Sequence, residues 1–248
     1  MNVLFVGRAD SPVLAYLREV EAHVASTSRR LHRADPRVRR ADFLVSHGYR
    51  HRISARLLAR FPGRAVNLHN SLLPWNRGMD ATLWSFVDGT PKGVTIHHMD
   101  AGIDTGDIIV QKELRFAGDE TLRSAWWRLQ AELVQLFEDH WPMIRKGRCP
   151  GRPQPAGGSY HFSADRNAVV HLLTEGWDTP VSALTAPAQP GVLTPQAVHV
   201  VGHVEQGGIG ARKAPREVVE AHHCGDRHVE GHPSGEDCDR PWRPCQDQ

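Results

Sequence analysis

Nowhere in the chain do apolar residues run together for the roughly 18 positions that a membrane-spanning helix needs, so no such helix is expected. Cysteine is scarce, with four in 248 residues, at positions 149, 224, 238 and 245. Three of the four crowd the C-terminal tail, which is not the disulfide framework of a small secreted domain. Net charge is nearly absent as well, at +2, too small by itself to argue for a nucleic-acid partner, although it hides local asymmetry, and such a partner is not expected. The N-terminus, MNVLFVGRAD, has neither the apolar length nor the small-residue cleavage site of a signal peptide. A reduced cytoplasm is the expected location. Internal repeats are missing too. Hydrophobic content of 40% and a mean hydropathy of -0.44 are low enough that part of the chain should lie outside any core.

What is present reads first as α/β. Residues 2–6 (NVLFV) form a continuous apolar run ending at Gly7, the pattern of a strand buried on both faces. Ser11 can cap a following helix and Pro12 suits its first turn, after which Val13, Leu14, Leu17 and Val20 give an apolar stripe. Residues 23–25 are a second short strand, so the chain opens as a strand–helix–strand crossover. Residues 28–40 carry six arginines and almost no apolar residues, and read as a solvated connection. Residues 42–46 (DFLVS) are the next buried strand, residues 53–61 a helical stripe, and residues 65–68 a strand that delivers Asn67 and His69. Residues 80–87 suit a short helix with Asp80 as N-cap. Residues 93–97 and 108–114 are two further strands joined by the loop MDAGIDTG. Residues 120–144 have the apolar spacing of a long helix packed on the sheet, which Pro142 should bend or end.

From Cys149 the composition changes. Residues 149–161 (CPGRPQPAGGSYH) read as a Pro/Gly linker and residues 167–173 as a small helix. Beyond about residue 184 no period is sustained, and Pro, Gly, His and charge dominate. The expected division is a catalytic domain over 1–147, a linker with a small segment over 148–183, and an irregular C-terminal tail over 184–248. The tail residues His222, His223, Cys224, His228, His232, Cys238 and Cys245 match no regular metal module, so no metal site is assigned.

The chemistry gathers between residues 67 and 106. A strand ending Asn67-Leu68-His69 places the two polar side chains on one face, because a strand has a period of two. At the carboxyl end of a strand in an open sheet, that face looks into the usual ligand crevice. The Asn67 amide can donate to a developing oxyanion and His69 can donate or take a proton. Gly102 and Gly106 let the next loop bend sharply around Asp104, whose carboxylate could orient His69. No Ser or Cys there is set up as a covalent nucleophile, so direct acyl transfer to an external amine fits best.

These residues carry a resemblance. NLHNSLLPWNRG followed by KGVTIHHMDAGIDTGDIIVQ resembles the folate-dependent formyltransferase family, over residues 1 to about 147. The resemblance implies a Rossmann-like, mostly parallel sheet with flanking helices. It assigns catalytic roles to Asn67, His69 and Asp104 and a supporting role to His97. N10-formyltetrahydrofolate is implied as formyl donor, held by Gly48, Tyr49 and Arg50 of one loop and Met99, Asp100 and Gly102 of another. The wording around WNRG and LWSFVDGTPKGVTIH is similar to the branch that formylates nucleotide-linked amino sugars, with Trp75, Asn76 and Arg77 bordering the sugar nucleotide. A nucleotide sugar is then the expected small-molecule partner, with no membrane partner, and a homodimer is compatible with the chain. Two other readings stay open: formylation of methionyl-tRNA or another amine, and a non-catalytic module that binds a nucleotide sugar.

Overall fold

The run NVLFVG forms strand β1 (Asn2–Gly7), buried from its second residue onward. Pro12 then opens helix α1 (Pro12–Val20) where its missing N–H is not needed. Val13, Leu14 and Leu17 of α1 are buried, whereas Val20 is exposed. Ser11 sits at the N-cap, but its hydroxyl makes no cap bond because it is bonded to His47 instead. Strand β2 (His23–Thr27) follows. The arginine-rich segment is more ordered than a solvated connection. Asp35 accepts from the Arg37 N–H and Pro36 sets the first turn of a five-residue helix, α2 (Pro36–Arg40). Leu31 and Val38 are the residues that anchor this segment to the core.

Strand β3 (Phe43–His47) leads to α3 (Ala55–Leu58), which Ser54 caps. The helix is shorter than its apolar stripe, although Ile53 and Phe61 at the ends of that stripe are buried. Then come β4 (Ala65–His69), β5 (Arg77–Gly78), α4 (Ala81–Val87), β6 (Lys92–His98), β7 (Ile108–Leu114), α5 (Leu122–Ile144), β8 (Tyr160–His161) and α6 (Val181–Leu184). Asp80 does precede α4, but with φ 53° it is left-handed and makes no side-chain cap bond. A reciprocal pair, Thr121 with Ser124, caps α5. Pro142 falls within the last turn of α5, which ends two residues later. No helix among the described residues is long and apolar enough to cross a membrane.

The main sheet has the order β2-β1-β3-β4-β6-β7. The pairs β1–β2, β1–β3 and β3–β4 are parallel, and β4–β6 and β6–β7 are antiparallel. Strand β7 is therefore aligned with the first four, and β6 alone runs the other way. One face buries Val3, Phe5, Val45, Val66 and Leu68 beneath α1 and α5. The other buries Leu4, Val6, Leu44 and Ala65 beneath the short α2 and α3. That second face is the one to which Ala65, Asn67 and His69 all belong.

The chain is described here by a computed structural model that covers residues 1–184 in detail. The expected irregular tail, with its Cys and His residues, lies outside the described residues from 185 onward. The described residues belong to one compact unit. Residues 148–184 are packed against it: Arg152 exchanges two backbone hydrogen bonds with Ile108, and β8 pairs in parallel with β5. Val169, Val181 and Leu184 join Leu83, Trp84, Phe86 and Leu122 in a third apolar cluster. Burying each such side chain stabilises by about 1.5–3 kcal/mol before ordering costs.

Candidate active site

The antiparallel register of β4 and β6 puts Asn67 directly opposite His97. The Asn67 Nδ2 lies 3.2 Å from His97 Nε2 and donates to Asp104 Oδ1 at 3.0 Å. The ring of His97 is fixed from its far side, where Nδ1 donates to the His98 carbonyl oxygen at 2.8 Å. A neutral His97 consequently presents a lone pair at Nε2, matched to the second amide hydrogen of Asn67. Both amide hydrogens of Asn67 are thus engaged within the site. An oxyanion that recruits Asn67 must replace one of those two acceptors.

His69 is buried two residues along the same strand. Its Nε2 donates to the Asn76 carbonyl oxygen at 2.9 Å, which fixes the tautomer of the neutral ring. Its Nδ1 faces Asp104 Oδ2 at 3.6 Å. Asp104 is the hub of the arrangement. It takes the Asn67 amide on Oδ1 and the Gly78 backbone N–H on Oδ2 at 2.9 Å, with His97 Nε2 3.4 Å from Oδ1. Burial alone would push this carboxyl up. When protonated, His69 by its charge and His97 by its hydrogen bond and charge, together with the Gly78 amide, outweigh it and hold Asp104 well below the usual carboxylate range.

The β6–β7 loop holds Asp104 in place against strain, since its φ is 54°. Asp100 Oδ1 accepts from the Gly102 N–H at 3.0 Å and from Thr105 Oγ1 at 2.7 Å, closing the loop on itself. A Cβ on Gly102 would meet Thr105 Oγ1 at 1.9 Å, and one on Gly106 would meet the His98 carbonyl oxygen at 1.9 Å. Met99 is half-buried and its N–H bonds the Ala65 carbonyl. Of the other loop, Gly48 and Arg50 are exposed. Tyr49 is half-buried, donates its hydroxyl to the Arg29 carbonyl at 2.9 Å and accepts from the Leu31 N–H at 2.9 Å. Arg52 donates to the Ala101 carbonyl at 2.9 Å, so the two loops expected to hold the donor are tied together.

Trp75, Asn76 and Arg77 do not behave alike. Asn76, expected to border the sugar nucleotide, is fully buried. Its amide donates to Asp88 Oδ2, its side-chain oxygen accepts from Thr90 Oγ1 at 2.7 Å, and its backbone oxygen holds His69. A left-handed φ of 57° is needed for this inward turn. Trp75 is half-buried. Arg77 forks onto Gln154 Oε1 at 3.0 and 2.8 Å, and Gln154 Nε2 in turn donates to the carbonyls of Asp104 and Gly106. Gln154 and Tyr160, which lies against Gly78, were not legible in the sequence. Both come from the segment read as a linker, where no periodic pattern marks them. Burial first, and then the nearby Asp104 charge, push the Tyr160 hydroxyl up.

The arrangement can bind and polarise a carbonyl and shuttle a proton beside a fixed anion. Comparisons with known proteins agree with that chemistry. The chain is 34% identical over 122 residues to mouse cytosolic 10-formyltetrahydrofolate dehydrogenase, covering 48% of this chain and 13% of that one. It is also 34% identical over 124 residues to methionyl-tRNA formyltransferase of Agathobacter rectalis, covering 50% of this chain and 40% of that one. The chain thus spans well under two thirds of either curated relative. The solved structure of the formyltransferase PseJ from Anoxybacillus kamchatkensis, in complex with UDP-4,6-dideoxy-4-formamido-L-AltNAc and tetrahydrofolate, is 43% identical. It superposes with a TM-score of 0.72 over 74% of this chain and 97% of that one. A family model described as Formyl transferase matches residues 8–138, a span that holds Asn67, His69 and Asp104, and the chain belongs to that family.

Proposed function

We propose that the chain moves a formyl group from N10-formyltetrahydrofolate to the amine of a nucleotide-linked amino sugar. The observation that carries this reading is the Asn67–His69–Asp104 cluster, in a chain that aligns with 97% of PseJ at 43% identity. The bound product and folate of that neighbour, a 4-formamido sugar nucleotide and tetrahydrofolate, support the same donor and acceptor classes here.

In this mechanism the neutral amine attacks the formyl carbon and a new C–N bond forms. The carbonyl oxygen becomes an oxyanion, which recruits one Asn67 amide hydrogen from its resting acceptor. Asp104, kept anionic, stabilises the positive charge that develops on the attacking amine. His69 faces that carboxylate through Nδ1 and relays the proton that the amine releases toward N10, whose bond to carbon then breaks. Asn76 holds the His69 ring from behind through its carbonyl oxygen. The reading sets the reaction in a reducing cytoplasm, where Cys149, the one cysteine among the described residues, stays a free thiol.

The test is a screen of nucleotide-linked amino sugars with N10-formyltetrahydrofolate, read as the mass gain of one formyl group on the acceptor. A 4-amino-4,6-dideoxy sugar nucleotide is expected to gain it. Formylation of methionyl-tRNA with no sugar nucleotide accepted would overturn the proposed acceptor. Tight folate binding with no transfer to any amine would overturn the reaction.

A further inference from the structure

Strand β8 reaches the site by two arms, and both start at His161. Its backbone carbonyl accepts from the Met79 N–H at 2.9 Å and lies against Gly78, whose own N–H holds Asp104 Oδ2. Its side chain goes to the other arm. The ring stacks on Trp84 of α4, with centroids 3.9 Å apart and planes 2° from parallel, and Nε2 donates to Asp88 Oδ2 at 2.8 Å. The same Asp88 oxygen accepts from the Asn76 amide at 3.3 Å, and the Asn76 side-chain oxygen accepts from the Thr90 hydroxyl at 2.7 Å. Ser159, two residues before His161, accepts from the Asn76 backbone N–H at 2.9 Å. Asn76 is thus held at its amide, its side-chain oxygen and its backbone N–H, which together sustain its left-handed φ of 57°. Its backbone oxygen is turned to accept from His69 Nε2 at 2.9 Å.

We infer that His161 is a positioning residue that acts through Asp88 and Asn76 to set which nitrogen of His69 carries the proton, an inference that rests on the formyltransferase reading above. A neutral His69 with no partner at Nε2 would keep its proton on Nδ1, toward the Asp104 carboxylate 3.6 Å away. Nδ1 would then have no lone pair for the proton that the attacking amine releases. The Asn76 carbonyl counters that pull by accepting at Nε2, so Nδ1 is left able to receive. Whether the carbonyl points at Nε2 depends on the Asn76 turn, and the His161–Asp88 pair fixes the side chain of that turn. Asp88 follows directly on α4 and its side chain is 27% exposed. Without the His161 donor its oxygen can turn to water, and the Asn76 amide loses a fixed acceptor. A loosened turn shifts His69 toward the Nδ1–H form. The loss then falls on proton transfer and not on binding.

Two measurements decide it. The first needs no turnover: long-range nitrogen–proton spectra of histidine-labelled protein, at a pH where the ring is neutral, report which nitrogen bears the proton. A His69→Gln variant identifies the His69 signals by their loss. Wild-type His69 is expected in the Nε2–H form, and a wild-type ring in the Nδ1–H form would overturn the inference. The second is kcat and KM for two variants. His161→Phe keeps a ring over Trp84 and removes the donor to Asp88. It is expected to populate the Nδ1–H form of His69 and to lose roughly tenfold in kcat, with both KM values within about twofold of wild type. His161→Gln keeps a donor and gives up the aromatic stack, and is expected to hold the wild-type tautomer and most of the rate. The reverse order, Phe active and Gln impaired, would leave a packing role only and overturn the inference. So would a slow His161→Phe whose His69 tautomer is unchanged. Should His161→Phe fail to fold, Asp88→Ala replaces it with the same expected shift. Absence of transfer to any amine would count against the formyltransferase reading, while the spectra would still decide the role of His161.

Discussion

Two histidines end neighbouring parallel strands, His47 on β3 and His69 on β4, and both are buried, at 9% and 7% exposure. Their surroundings differ completely. His47 Nε2 donates to Gln130 Oε1 at 3.0 Å, and its Nδ1 meets the Ser11 hydroxyl at 2.9 Å, with no carboxylate among these partners. Burial then pushes His47 down to about 4, only partly opposed by the Gln130 bond, and the ring stays neutral as a strut between α1, β3 and α5. His69 has a carboxylate at its Nδ1 and a backbone carbonyl at its Nε2. Burial silences the first ring, whereas a fixed carboxylate faces the second at 3.6 Å. Position at the carboxyl end of a strand therefore does not by itself set a histidine's surroundings.

The largest expected effect that sharpens this contrast is on rate. His69→Ala and Asp104→Asn should each lower kcat by on the order of 10³, measured by discontinuous assay of the formylated acceptor. His47→Gln, which keeps one donor and one acceptor, should retain turnover. If His47→Gln lost as much rate as His69→Ala, the contrast would fail. Asn67→Ala should cost on the order of 10²–10³ in kcat, the usual penalty for removing one oxyanion donor.

The next effect is on acid stability. The folded-state pKa of His47 is depressed, so between about 6.5 and 4 the unfolded chain binds the extra proton and the folded chain does not. Stability that is fully present above pH 6.5 is lost as pH falls toward 4, by about 3 kcal/mol. His47→Gln should flatten that part of a denaturation-versus-pH profile. Asp104 contributes in a different window. Its carboxyl is depressed, so its stabilisation is present above the ordinary carboxylate range and lost only in stronger acid. The smallest effect belongs to Gln154→Ala, which releases the carbonyls of Asp104 and Gly106. A roughly tenfold fall in kcat with KM little changed is expected, since a small misplacement of the carboxylate costs rate more than binding.

Much of this could be read from the chain, because the signals were periodic. The buried strands announce themselves as β-branched or aromatic runs such as NVLFV and DFLVS, and the α5 stripe spans more than six turns. The clustering of Asn67, His69 and Asp104 was legible because two of them share a strand face and the third lies in a loop punctuated by glycine. What escaped had no period. Helix α2 is hidden by its arginines, with Val38 as its one buried residue. Gln154, Ser159 and Tyr160 reach the site from a segment whose Pro and Gly content reads as linker, and the two residues of β8 are too few to alternate. The burial of Asn76 was not legible for another reason. A polar residue beside a catalytic motif looks like a ligand contact, but its left-handed φ turns it into the protein to satisfy Asp88 and Thr90.

The central claim is that the carboxylate of Asp104 separates the working histidine from the silent one. Its most direct test is single-turnover formyl transfer by Asp104→Asn, with 5-formyltetrahydrofolate affinity measured on the same sample. The expected result is a transfer rate lower by on the order of 10³ with folate affinity within a few-fold of wild type. A near-normal rate from a folded, folate-binding Asp104→Asn protein would contradict it.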